Sequence, residues 1–121
     1  IKYILLLMKE IEYEGITYHL GTNANDNWNI LQNANQNWIW FHLDNEPSPY
    51  VILTESLKEL KKDKYPKKWK SYIIKGGLLC KENSKYNNRK INIIWTEVKN
   101  ISKGTKPGEA IIKGKIKKIS I

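Results

Sequence analysis

Apolar and polar positions alternate in short blocks along this chain, and the period of each block predicts an element. Residues 2–8 are almost wholly apolar and read as a strand, followed by Ile11 and Tyr13 alternating with Glu10, Glu12 and Glu14. That period of two predicts a half-exposed hairpin arm, with Glu14-Gly15 as the turn into a second strand over 16–20. Gly21-Thr22-Asn23 interrupts the pattern, and Thr22 or Asn23 is placed to cap a helix from about Asn25 to Asn33. Its apolar positions are Trp28, Ile30, Leu31 and Ala34. Asparagine is a poor helix former, so packing must hold this helix rather than propensity. The run Trp38-Ile39-Trp40-Phe41-His42-Leu43-Asp44 is apolar at every position before His42. It fits a strand over 38–43 that is buried on both faces and therefore central in its sheet. A proline-containing turn then leads to another strand over 49–53.

The second half is patterned differently. Residues 57–65 are lysine-rich and read as a short exposed helix or a mobile loop. Pro66 suits the first turn of a helix in which Trp69, Ile73, Gly77 and Cys80 share one face and Lys67, Lys68, Lys70 and Lys75 lie largely on the others. Gly76-Gly77 within it costs roughly 1 kcal/mol per glycine relative to alanine, a cost offset if the helix backbone approaches a sheet closely. Residues 83–88 read as a loop, 91–96 as a strand apolar on both faces, and 99–108 as a loop ending in Pro107-Gly108. Residues 109–121 read as one long strand or a pair, with Lys113, Lys115, Lys117 and Lys118 among isoleucines. There is no repeat and no domain boundary. The expected fold is a single α+β domain over residues 1–121, a mixed or mostly antiparallel sheet of about five to six strands with two main helices.

Composition narrows this picture. A chain of 121 residues buries one real core. No run approaches the roughly 18 apolar residues of a membrane span, and the acids after Met8 argue against a signal peptide, so no membrane partner is expected. The lone Cys80 allows no internal disulfide and fits a reducing compartment, which makes the cytoplasm the expected location. The net charge of +9 is unevenly spread: residues 1–55 hold two lysines against seven acids, and residues 56–121 hold nineteen basic residues against five. Such asymmetry outlines a polyanion-binding face. Twenty of the 21 basic residues are lysine, however, in a chain also crowded with Ile and Asn, and a codon bias would produce the same enrichment.

The candidate chemistry points away from catalysis. His19 and His42 are the only histidines, no His/Cys spacing suits a metal, and Gly76-Gly77 lacks the Lys-Ser/Thr of a phosphate-binding loop. No cofactor or metal is expected, and Cys80 on an apolar helix face reads as an inert core thiol. His42 and Asp44 are two apart, so on a strand they share a face. A carboxylate there would stabilise an imidazolium able to donate to a phosphate or base; the bland alternative is a polar strand end satisfied by a neighbouring loop. Five Trp and seven Tyr against one Phe offer flat faces for stacking bases. Trp40 and Trp95 lie in core-like strands, whereas Trp28, Trp38, Tyr50 and Tyr72 are open to either role. Lysines 67, 68, 70 and 75 interleave with Trp69 and Tyr72, which suits RNA.

Several short motifs in a fixed order carry a resemblance. Gly21-Thr22-Asn23 follows a strand, Asn25-Asp26-Asn27-Trp28-Asn29-Ile30 opens a helix, and Ile39-Trp40-Phe41-His42-Leu43-Asp44 ends in a Trp-x-His strand. Lys81-Glu82-Asn83-Ser84, Ile91-Asn92-Ile93-Ile94-Trp95-Thr96, and Lys103 with Pro107-Gly108 come later. Together they resemble the NFACT-R domain, the RNA-binding module of proteins of ribosome-associated quality control, and most closely its small stand-alone members. The chain departs from the family pattern at Thr22, Trp38 and Tyr50, the last replacing a second family histidine. The resemblance implies non-catalytic binding of structured RNA of the translation machinery, tRNA or rRNA. The candidate contacts are Asn23, Asn27, Trp40, His42 oriented by Asp44, Tyr50, Lys67, Lys68, Lys70, Lys75, Lys81 and Lys103. Alternatives from the residues alone are a DNA-binding protein, a small RNA- or nucleotide-processing enzyme using His42, and a protein-interaction module. The oligomeric state is not encoded in any motif.

Overall fold

The two-sided apolar run becomes an inner strand of a six-stranded sheet, in a computed structural model that describes residues 9–62 and 68–121. The strand expected over 2–8, with Pro66 and Lys67, lies outside the described residues. In chain order the elements are β1 (Lys9–Tyr13), β2 (Ile16–Leu20), α1 (Ala24–Gln32), β3 (Ile39–Leu43), β4 (Val51–Leu53), α2 (Leu57–Lys61), α3 (Lys68–Glu82) and β5 (Asn92–Glu97). A short 3-10 turn (Val98–Asn100), β6 (Ile101–Lys103), β7 (Ala110–Ile112) and β8 (Lys117–Ser120) complete the chain. The large sheet runs β1-β2-β4-β3-β5-β8, each neighbouring pair antiparallel, while β6 and β7 form a separate hairpin.

Strand β3 divides its side chains between two cores. Ile39, Phe41 and Leu43 pack with Tyr72, Ile73, Leu79 and Cys80 of α3, while Trp40 packs with Ile30 and Leu31 of α1 and with Val98 and Ile101. The sheet is therefore the middle layer, covered by α3 on one face and by α1 with the β6–β7 hairpin on the other. Alternation puts His42 on the α1 side with Trp40.

Local chemistry explains the helix ends. Of the two candidate caps, Asn23 is the one used: its side chain accepts from the Asp26 N–H at 2.9 Å. The Asp26 carboxylate reaches back to accept from the Thr22 N–H and hydroxyl, at 2.8 and 2.9 Å. Ser56 caps α2 by accepting from the Glu59 N–H at 3.1 Å, and Leu60 is buried, so the start of the 57–65 segment is helix.

Near the C-terminus one expectation changes and one is settled between its two alternatives. The stretch 99–108 is not all loop, because Ile101 is buried and draws β6 into pairing with β7. The stretch 109–121 is a pair of strands in different sheets, separated at Gly114, whose φ of +88° suits a residue without a Cβ.

The two glycines of α3 do allow close approach. A Cβ on Gly76 would fall on the Phe41 ring, and one on Gly77 would meet Ile119 at 2.8 Å. Gly76→Ala sets a helix-propensity gain of about 1 kcal/mol against an overpacking cost of roughly 1–3 kcal/mol. Because the Cβ would land on the buried Phe41 ring, the cost falls in the upper part of that range, and the expected outcome is a lower urea midpoint with an unchanged slope, a net loss of about 1–2 kcal/mol. A midpoint equal to or above that of the unsubstituted protein would contradict this packing of α3 on β3.

Candidate nucleic-acid interface

One end of the sheet opens into a groove of about 1330 Å³. Its walls are residues 20–24 and Asn27 at the start of α1, His42, the 45–49 turn, residues 83–85 after α3, and residues 107–109 at the tip of the β6–β7 hairpin, with Lys9 of β1 at the edge. These stretches are distant in the chain and meet only in the fold.

Tyr50 is the hub beneath this groove. Its N–H donates to Asn27 Oδ1 at 2.9 Å, its carbonyl accepts from the Gly21 N–H at 3.0 Å, and its hydroxyl donates to the Gly108 carbonyl at 2.7 Å. A Cβ on Gly21 would fall on the Asn27 side-chain oxygen, so the glycine leaves room for this lock. Trp28 Nε1 also donates to the Glu109 carbonyl at 3.0 Å, and the hairpin tip is thereby tied to α1 as well as to Tyr50, just before β4. Burial pushes the Tyr50 hydroxyl up to about 12, which keeps it a donor at neutral pH. Tyr50 is fully buried, so it presents no face for a base to stack on. It builds the wall of the groove from behind.

His42 faces the groove above Trp40. The two rings are parallel within 1°, with centroids 5.6 Å apart, and Tyr50 meets the imidazole edge-on at 5.7 Å. Trp40 is buried and supports the histidine without reaching the groove. Nδ1 lies 2.7 Å from the Leu43 carbonyl, which can only accept, so Nδ1 carries the proton. Burial lowers the His42 pKa, with the Leu43 and Ser48 backbone partly opposing it. At neutral pH the ring is uncharged and its other nitrogen is an acceptor.

The expected His42–Asp44 pair does not form. Asp44 Oδ2 is 2.9 Å from Lys118 Nζ on β8, and the Asp44 N–H donates to the Asn92 carbonyl. Asn45, with φ of +61°, then turns the chain. Without a carboxylate beside the ring, only the Leu43 and Ser48 backbone works against burial, and burial outweighs it. Asn23 and Asn27, by contrast, line the groove together with His42.

Most of the candidate lysines lie elsewhere. Lys68 is 3.2 Å from Glu14, Lys61 and Lys70 flank the Trp69 ring at 4.7 and 5.8 Å, and Lys75 sits over Tyr13 at 5.4 Å. At 1.5 Å per residue, Lys70 is roughly 20 Å along the helix axis from the groove residue Asn83. Lys81, in the last turn of α3, comes near the groove without lining it. Lys103 donates to the Gln32 side chain and lies over Trp28. The basic residues lining the groove are Lys9 and Lys85, which the sequence pattern did not single out. Ser48 was also missed, whereas Asn83, Ser84 and Gly108 belong to motifs already quoted. Asp44–Lys118 and Glu14–Lys68 pair acids of the first half of the chain with lysines of the second. Among the described residues no group of three or more His, Cys, Asp or Glu is placed to hold a metal ion. Cys80 is buried, which pushes its thiol pKa up.

Comparison with known proteins bears on this geometry. Residues 6–118 match the family model described as NFACT protein RNA binding domain. Among solved structures, the C-terminal part of the fibronectin/fibrinogen-binding protein from Streptococcus suis matches with a TM-score of 0.75 at 20% identity, over 94% of this chain and 44% of that one. This likeness is one of fold, and the chain spans less than half the length of that relative. No curated protein matches the sequence.

The half-buried histidines set a pH dependence of stability. Burial lowers the pKa of both His19 and His42 in the folded state. Above the unfolded value of about 6.5 both states are neutral there. As pH falls below it, the unfolded chain takes up protons first, so stability declines until the lowered folded values are passed. The urea midpoint is expected to drop on acidification from pH 7.5, and His42→Gln should make that drop shallower. An unchanged pH slope in the variant would contradict the burial of a neutral His42.

Proposed function

The chain belongs to the NFACT RNA-binding domain family, and from that premise we propose that it binds structured RNA of the translation machinery, tRNA or rRNA, without catalysing a reaction on it. The observation that carries this reading is the convergence of the motif stretches on one groove. The Gly21-Thr22-Asn23 turn, Asn27, the histidine of the Trp-x-His strand, Asn83-Ser84 and Pro107-Gly108 all line it. In this reading the groove supplies recognition, and phosphates are neutralised at its rim by Lys9 and Lys85, with lysines of α3 and the C-terminal strands adding a longer-range attraction. A role in ribosome-associated quality control in the cytoplasm is the setting that such an RNA partner suggests.

Binding is tested with labelled tRNA, an unstructured single-stranded RNA and duplex DNA across a salt series. Log affinity for tRNA should fall linearly with log salt, and tRNA should bind tightest of the three. Lys85→Ala should reduce the magnitude of that slope by about 0.7 to 0.9, the share of one phosphate contact. Equal affinity for all three would leave only an unselective basic surface. Absence of binding at low salt would overturn the proposal.

A further inference from the structure

The protein fixes what each polar group in the groove can offer to a ligand. Asn23 and Asn27 each direct the side-chain oxygen to a backbone N–H, that of Asp26 and that of Tyr50. Only the oxygen can accept from an N–H, so both amides are oriented without ambiguity and both NH2 groups turn away from those partners. His42 directs its Nδ1 proton to the Leu43 carbonyl, with the Ser48 backbone also beside the ring, and a neutral imidazole protonated there has its lone pair at Nε2. The charged and titratable groups around the ring are engaged elsewhere or stand at the rim. Glu46 accepts from the Tyr86 hydroxyl at 2.6 Å, Glu109 accepts from the Thr105 N–H at 2.8 Å, and Asp44 is held by Lys118. The Tyr50 hydroxyl is donated to Gly108, and Lys9 and Lys85 line the edges.

An uncharged acceptor is the wrong partner for a phosphodiester, whose oxygens only accept. The donors of a nucleic acid are base N–H groups and, in RNA, the ribose 2′-hydroxyl. The Watson–Crick base donors are engaged in a duplex and become available when a nucleotide is unpaired. We propose that the groove takes an unpaired nucleotide, with His42 Nε2 accepting from its base N–H or 2′-hydroxyl, the Asn23 and Asn27 amides donating to its acceptors, and the phosphates kept at the Lys9 and Lys85 rim. This deepens the RNA-binding reading above and rests on it. Phosphate contacts would strengthen if His42 became charged, whereas this contact is lost.

The test is the affinity of the intact chain for an unstructured RNA dodecamer, its deoxy counterpart and the same RNA in a full duplex, from pH 7.5 downward. The His42 ring nitrogens are followed by 15N NMR in the same samples, which also shows that the fold persists. The single strand should bind more tightly than the duplex, its addition should shift the Nε2 resonance without protonating it, and affinity should fall about tenfold as His42 is protonated. His42→Gln should remove that pH dependence. A drop with the deoxy strand assigns the donor to the 2′-hydroxyl, and no drop assigns it to the base; either supports the contact. Tight binding with unmoved His42 nitrogens, affinity that rises as His42 gains its proton, or equal affinity for the duplex would each overturn this inference while leaving RNA binding intact. No binding to any RNA would overturn both.

Discussion

The burial of β3 on both faces is the constraint from which the rest follows. Phe41 and Trp40 are adjacent in the chain and fully buried on opposite sides of the sheet. A slip of one residue would exchange the two cores and turn His42 away from α1. The register with β4 and β5 is thereby fixed, with Trp40 opposite Ile52 on one side and Thr96 on the other. His42 is the first residue of the strand to emerge from this packing, and it does so only halfway. Its chemistry is a consequence of its depth: close enough to the core for burial to disfavour its charge, near enough to the strand end to line the groove.

The groove itself is made by backbone and small side chains rather than by a display of charge. Tyr50 joins the Gly21 turn, Asn27 and the hairpin tip through its N–H, carbonyl and hydroxyl, and all three links are internal to the protein. The lysine-rich face of α3 is a separate surface, where cations rest over Trp69, Tyr72 and Tyr13. In the proposed RNA-binding reading, attraction and recognition fall to different parts of the molecule. Long-range attraction depends on net charge and is screened by salt, whereas hydrogen bonds to a base or sugar are not.

Much of the fold was legible because its signals are local. The period-two hairpin arm, the two-sided strands at 38–43 and 91–96, the cap at Asn23 and the glycine pair in α3 each follow from neighbouring residues. The β6–β7 hairpin was not, because three-residue strands leave little periodicity and Ile101 gains its burial from Val98 and Ile94 across the fold. The groove lining was half legible. Motif order picked out Asn23, Asn27, His42, Asn83 and Gly108, which the fold brings to one groove, while spacing alone joined Asp44 to His42 and the structure pairs it with Lys118 instead. The competing partner, Lys118, lies more than seventy residues on and is visible only once β8 is placed beside β5. Lys9 and Lys85 were missed for the same reason: nothing in a lysine's local surroundings distinguishes a groove edge from any other exposed position.

Backbone amide chemical-shift mapping during titration with tRNA would show whether the groove is where RNA binds. Signals from Gly21, Asn23, Asn27, His42, Ser84, Lys85 and Gly108 are expected to move together and saturate at one affinity, with smaller changes along α3. Movement confined to the Lys68, Lys70 and Lys75 face, with the groove signals unchanged, would contradict this and place the RNA on the opposite side of the sheet.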